Sequence, residues 1–255
     1  MTNESRVENN PAVEAEEAAA KKKNLHQGHR QRLKEQALSQ GMDGMPAYQA
    51  MELLLFYAIP YKDTNELAHQ LIDHFGSFSA VLNADYHELM KLPGVGQNTA
   101  TLLTMMPEFF RFYQLDAFGP RPFFKNRRTL AEYAHNLFIG HTYEYIYMIC
   151  MDAQHRLTKT ELLSKGTLGS ANVDPRNAVE IALRHHACFV ALTHNHPAGT
   201  LKPSSQDVHV TNELSRCLDA VGITLVDHVI AAGDTCYSMA EHGYIKGDCL
   251  PPAKI

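Results

Sequence analysis

The stretch Thr193-His194-Asn195-His196-Pro197-Ala198-Gly199, followed by Ser204-Ser205-Gln206-Asp207, constrains the fold of this chain more than any other. Cys188 to Thr193 is a short apolar run, CFVALT, that reads as a buried strand. His194 and His196 follow at its end. Residues two apart on an extended chain point to one side, so both imidazoles can face one ion. Pro197 and Gly199 then stop the strand and turn the chain. A helix opening over Ser204 to Asp207 returns Asp207 towards the pair. Two His and one Asp make three ligands, and a zinc ion with three protein ligands keeps its fourth position for water. That is a catalytic pattern rather than a closed structural one. A structural reading stands beside it. S-x-x-D ahead of an apolar-periodic stretch is a helix-capping pattern, and a His pair beside Pro and Gly can be a polar turn. The readings are compatible, with Ser204 capping the helix while Asp207 binds metal from its first turn.

A chain of 255 residues, 45% of them hydrophobic, suits one large or two small domains with a substantial core. No apolar run reaches the length of a membrane span, and the polar N-terminus has no apolar signal core. Cys150, Cys188, Cys217, Cys236 and Cys249 are odd in number and form no C-x-x-C, so they read as reduced thiols and not as a zinc site. These features predict a cytoplasmic protein with no membrane partner. The net charge of −5 excludes a generic nucleic-acid binder. Residues 24–115 hold six Lys/Arg against nine Asp/Glu, so the N-terminal part is itself acidic. The one basic cluster, Lys125-Asn126-Arg127-Arg128, reads as solvated surface in a linker.

Residues 1–23 are rich in Glu, Ala, Asn and Lys and carry no aromatic residue, which predicts a disordered tail with at most a transient helix over 14–23. Residues 24–115 read as an all-α domain. Helices are expected over Tyr48 to Tyr57, from a Thr64 cap to His74, from Ser79, and from an Asp85 cap to about Leu92. Leu92-Pro93-Gly94-Val95-Gly96-Gln97-Asn98-Thr99-Ala100 then joins two helices and resembles a helix-hairpin-helix. Gly94 and Gly96 permit a tight turn, and the amides of the following helix can hold a phosphate. Gln97 and Asn98 stand where DNA-binding versions place Lys or Arg, so any DNA contact is weak; a packing or protein-docking turn is the other reading. Residues 116–128 read as an irregular linker. Over 129–249 the pattern is an α/β domain. Strands are expected at Tyr145 to Met151, Arg156 to Ser164, Cys188 to Thr193, Ile223 to Ala231 and Thr235 to Met239. Helices are expected at Leu130 to Phe138, Pro175 to His186 and Gln206 to Val221.

His194, His196, Ser204 and Asp207 match H-x-H, seven residues, then S-x-x-D, the JAMM metalloprotease motif of the MPN/JAB domain. Asn195 within HNHPAG resembles the bacterial RadC-like (UPF0758) branch; the deubiquitinating branch has Ser or Thr there. Glu161 to Leu168 resembles that branch's E-x-x-x-x-G-T stretch, and Val173-Asp174-Pro175-Arg176 its V-x-P-R. Gly222-Ile223, Asp227-His228-Val229-Ile230 and Ser238 to Gly243 resemble its remaining motifs, as His29-Arg30-Gln31-Arg32-Leu33 does near the N-terminus. The resemblance implies a mixed sheet flanked by helices, of cytidine-deaminase-like architecture, and one Zn²⁺ per chain on His194, His196 and Asp207.

Water activation needs a carboxylate that is not a ligand. The residues alone leave Glu161, Glu144 and Glu180 open; the resemblance selects Glu161 as the base that takes the water's proton and gives it to the leaving amine. Ser204 Oγ is the expected oxyanion donor. His185, His186, His209 and His228 are expected to stay off the metal, His228 making a structural hydrogen bond. The chain is thus expected to be a zinc metallopeptidase or isopeptidase acting on a peptide or protein that the sequence does not identify. Two other functions compete. A DNA-processing role is suggested by the hairpin, but phosphodiester cleavage often uses two metals and ligands for only one are evident. A non-catalytic docking module is the third, against which the intact motif argues.

Overall fold

The computed structural model describes residues 28–166, 173–245 and Leu250. The tail expectation over 1–23, Thr167 and Leu168 of the E-x-x-x-x-G-T stretch, and Cys249 lie outside these residues. The chain divides into two compact units, Met1–Met105 and Met106–Ile255.

The first unit is helical: α1 covers 28–40, followed by α2 Ala47–Ala58, α3 Asn65–Phe75, α4 Phe78–Leu82, α5 Tyr86–Met90 and the start of α6 Gln97–Asp116. Local signals explain most boundaries. Ser77 Oγ accepts from Ala80 N at 3.1 Å, and Asp85 Oδ1 accepts from His87 N at 2.8 Å. Gly76 ends α3 at φ 92°, the left-handed conformation that glycine adopts without a Cβ penalty. Thr64 departs from expectation. It stands at the N-cap of α3 but its hydroxyl caps nothing; it is buried without a hydrogen-bond partner among the described residues, and Asp63 Oδ1 takes the Asn65 amide at 3.0 Å instead.

The apolar helix α2 hides a carboxylate. Glu52 is fully buried, which is costly unless the charge is paired. His29 Nε2 lies 3.1 Å from Oε1, and Asn65 Nδ2 donates to Oε2 at 2.9 Å. Arg30 donates to the carbonyls of Ile59, Pro60 and Lys62 just past the end of α2. The His29-Arg30 pair therefore ties α1 to the middle of α2 and to the start of the α2–α3 connection. At the hairpin, Gly94 takes φ 91° while Leu92 O accepts from Val95 N at 3.1 Å and buried Val95 plugs the turn.

The second unit is α/β. Its five-stranded sheet has the order β2-β1-β3-β4-β5, with β1 Glu144–Met151, β2 Leu157–Gly166, β3 Phe189–Asn195, β4 Thr224–Ala232 and β5 Thr235–Ser238. All neighbours are antiparallel except β3 and β4, whose parallel pairing requires the crossover that α9 Ser205–Asp219 supplies. Alternation divides the core. Met148, Cys150, Val190 and Leu192 face α8 Pro175–Arg184 and α9, while Ile149, Met151, Ala191 and Val229 face α7 Arg127–Asn136.

The start of this unit corrects one expectation. The Lys125–Arg128 cluster is not uniformly solvated surface. Arg127 is buried and begins α7, three residues earlier than the apolar pattern indicates, because Asn126 forms a capping box with Thr129. Phe124 beside it is buried against Tyr133, and its amide bonds His155 O at 3.0 Å. No helix among the described residues is long and apolar enough to cross a membrane.

Candidate metal centre

The site begins with a strand longer than its apolar run. β3 continues through His194 and Asn195, and both are buried. Two polar residues fit inside the sheet because neighbouring groups reach both side chains. Ile146 and His194 form the last paired rung between β1 and β3. Beyond it the Asn195 amide substitutes for backbone: Oδ1 accepts from Tyr145 N and Nδ2 donates to Tyr143 O, both at 2.8 Å. The side chains of His194 and His196 therefore project to the side opposite Asn195, on the face of α9. His196 N donates to Ala231 O at 2.8 Å, and Gly199 at φ 83° closes the turn with its amide on His196 O.

On α9, Ser204 and Asp207 form a reciprocal capping box. Ser204 Oγ accepts from Asp207 N at 3.1 Å, and Asp207 Oδ2 accepts from Ser204 N at 2.7 Å. Ser204 Oγ also lies 2.7 Å from Oδ2, where its hydroxyl donates. The cap thus aims the carboxylate at the histidines: Asp207 Oδ1 is 3.3 Å from His194 Nε2, and Oδ2 is 3.7 Å from His196 Nε2. The two Nε2 atoms are 2.8 Å apart. Zinc–ligand bonds of about 2.0–2.1 Å in tetrahedral arrangement separate ligand atoms by about 3.3 Å. The three observed separations bracket that value, and the donor set fits a divalent ion with one position left open. Among the described residues no other His, Cys, Asp or Glu joins this group.

Each histidine also spends its second nitrogen. His196 Nδ1 is 2.5 Å from Thr200 O, an acceptor only, so Nδ1 carries the proton and Nε2 is free. His194 Nδ1 is 2.7 Å from His228 Nε2, and His228 Nδ1 is 2.6 Å from Thr211 Oγ1. Burial pushes His194 down to about 4, with Asp207 opposing the shift and His196 adding to it. Burial likewise holds His228 well below the ordinary imidazole range, reinforced by His194 and His196. Neutral imidazoles are the form that binds metal.

Glu161 sits on β2 with Met148 as its partner, and Met148 pairs in turn with Leu192. It therefore shares the sheet face of His194, two strands across and one same-face step along. It is half-buried, its Oε2 3.5 Å from Lys159 Nζ, and does not join the group of His194, His196 and Asp207. Glu144 is buried on the same face at the start of β1, while Glu180 is exposed and bonded to Arg184 on α8. His209 is exposed and lies 3.7 Å from Glu213, and His185 and His186 end α8. His228 makes the hydrogen bond expected of it, but to the candidate ligand His194. Thr211 was not singled out by its sequence. Its position four residues after Asp207, hence on the same helix face, is the signal that could have found it.

Residues 124–244 match the model of the RadC-like JAB domain. The chain is 31% identical over 227 residues to a UPF0758 protein of Fusobacterium nucleatum, covering 86% of this chain and 98% of that protein. It is 34% identical over 217 residues to a UPF0758 protein of Variovorax paradoxus, covering 84% and 96%. A UPF0758 protein of Pseudoalteromonas translucida is 31% identical over 215 residues, with 84% and 96% covered.

Proposed function

The chain belongs to the RadC-like, UPF0758 family, and from that premise we propose that it is a zinc-dependent hydrolase of the JAMM type that cuts an amide bond in a peptide or protein. The observation that carries the reading is the convergence of His194 Nε2, His196 Nε2 and an Asp207 carboxylate oxygen within 4.8 Å of one another. His194, His196 and Asp207 would hold the zinc, which when bound would supply a Lewis acid and bring water's pKa near neutrality.

The remaining work falls to the chain's own residues. Glu161 takes the water's proton and returns it to the leaving amine; its place on the sheet face of His194, outside the ligand set, supports this role. Ser204 Oγ donates to the oxyanion once its hydroxyl turns from Asp207 Oδ2. The buried apolar wall of Met148, Leu192 and Ile146 keeps the back of the site dry, which strengthens each of these polar interactions.

Elemental mass spectrometry on protein purified without added metal tests the reading. We expect one zinc per native chain and none in Asp207→Ala, with chelator-sensitive hydrolysis in peptide and isopeptide screens. Metal in neither protein would leave the motif as a capped turn and overturn the proposal.

A further inference from the structure

We propose that His228 and Thr211 are positioning residues that hold His194 in the tautomer whose Nε2 is free for the ion. The inference rests on the metal-site reading above. His194 is fully buried, so its Nδ1 has no water to exchange with and must settle with His228 Nε2 at 2.7 Å. A neutral imidazole has one N–H and one acceptor nitrogen. A string of imidazole and hydroxyl groups can therefore run in either direction unless one end is fixed.

The far end fixes it. Thr211 Oγ1 lies 2.5 Å from Asp207 O. A carbonyl cannot donate, and two oxygens at that distance need a hydrogen between them, so the hydroxyl proton points at Asp207 O. Met239 Sδ, 3.7 Å from the same hydroxyl, is a weaker acceptor and cannot donate either. Thr211 Oγ1 must then accept from His228 Nδ1–H at 2.6 Å. His228 Nε2 is left as an acceptor and takes the proton of His194 Nδ1. That leaves His194 Nε2 without a proton, facing His196 Nε2 at 2.8 Å and Asp207 Oδ1 at 3.3 Å, an approach of acceptors that fits a shared cation. The carbonyl that sets the direction belongs to Asp207, itself a ligand. The chain thus closes a loop from the β3 ligand through β4 to the α9 ligand, coupling the orientation of the two.

Competition of the full-length apoprotein against a chromophoric chelator, with zinc as the probe, reads the effect directly. Cobalt absorption reports ligand geometry in the same proteins. His228→Leu removes the acceptor and should weaken zinc binding by about 10–100-fold, the usual effect of losing an outer partner of a metal-bound histidine. His228→Gln supplies an amide oxygen for His194 Nδ1–H and should recover most of the loss and the native cobalt spectrum. Thr211→Val, nearly isosteric, should weaken binding in the same direction by less. Folded His228→Leu with native zinc affinity and spectrum would overturn the inference while leaving the metal site standing. So would His228→Gln as weak as His228→Leu, since packing alone would then explain both. If the Leu variant does not fold, native affinity in Thr211→Val decides against the inference. A native chain that binds no zinc would overturn this inference together with the proposed function.

Discussion

Two turns in this molecule, each with a left-handed glycine, lead into long helices and have different contents. Gly94, at φ 91°, precedes α6, and Gly199, at φ 83°, precedes α9. In the first, the side chains that follow are the exposed amides Gln97 and Asn98, the first turn of α6 carries no acidic residue, and what the glycine supplies is backbone shape. In the second, the first turn of α9 carries Asp207, which both caps its helix and meets two imidazoles from the neighbouring strand. A glycine turn before a helix is therefore a scaffold in both, and only at the second do side chains from another element converge on the helix start. As strings, the metal motif matches in full while the hairpin has Gln97 and Asn98 in place of Lys or Arg; their surroundings separate them further.

The largest effect should come from removing that convergence. His194→Ala should take zinc content from one per chain to none and abolish hydrolysis, while Gly94→Ala leaves the zinc content unchanged. Zinc retained in His194→Ala would erase the distinction between the two turns. Next in size, Glu161→Gln should lower kcat by about 10²–10⁴-fold with zinc retained; unchanged turnover would remove Glu161 from the mechanism and return Glu144 to consideration. Gly94→Ala sharpens the other side. Its Cβ would lie 3.5 Å from Leu67 Cδ1, an ordinary contact, so the cost is conformational, about 1–2 kcal/mol in a denaturant titration. A neutral result would mean that the hairpin turn relaxes without strain.

The smallest effect lies outside both turns. His141 is pushed down to about 4 by burial and by the charges of Arg111 and Lys165. Between pH 6.5 and about 4 the unfolded chain binds a proton there that the folded chain does not, so stability falls as pH falls through that window. His141→Gln should flatten the slope by up to about one proton. An unaltered slope would show that His141 titrates normally in the folded protein.

The sequence makes legible what local pattern and spacing control. Asp85, Ser204 and Asp174 mark helix starts with their own side chains, and the helix starts follow them. The H-x-H spacing places two imidazoles on one side because strand geometry leaves no other choice. Illegible were the features set by neighbours distant in sequence. β3 runs two residues past its apolar run because Tyr143 and Tyr145 satisfy Asn195. Glu52 is buried in an apolar-looking helix because His29 and Asn65 reach it. Arg127 belongs to the interior although its basic neighbours suggested surface. The part played by His228 requires β4 to lie parallel to β3, a pairing made through a crossover that no local string encodes.

Asn195 carries a consequence of its own. Its two hydrogen bonds make it a spacer between the ligands, a side chain acting as a missing peptide unit. The distance from His194 to His196 is thereby gauged against β1, a strand that contributes no ligand. The residue faces away from the side on which the two imidazoles meet Asp207, yet it holds the strand end that carries both. Asn195→Asp would keep the shape and lose the donor, leaving a carboxylate against the Tyr143 carbonyl, and the mismatch would register as a change in the angle at which the imidazoles grip rather than in which residues grip.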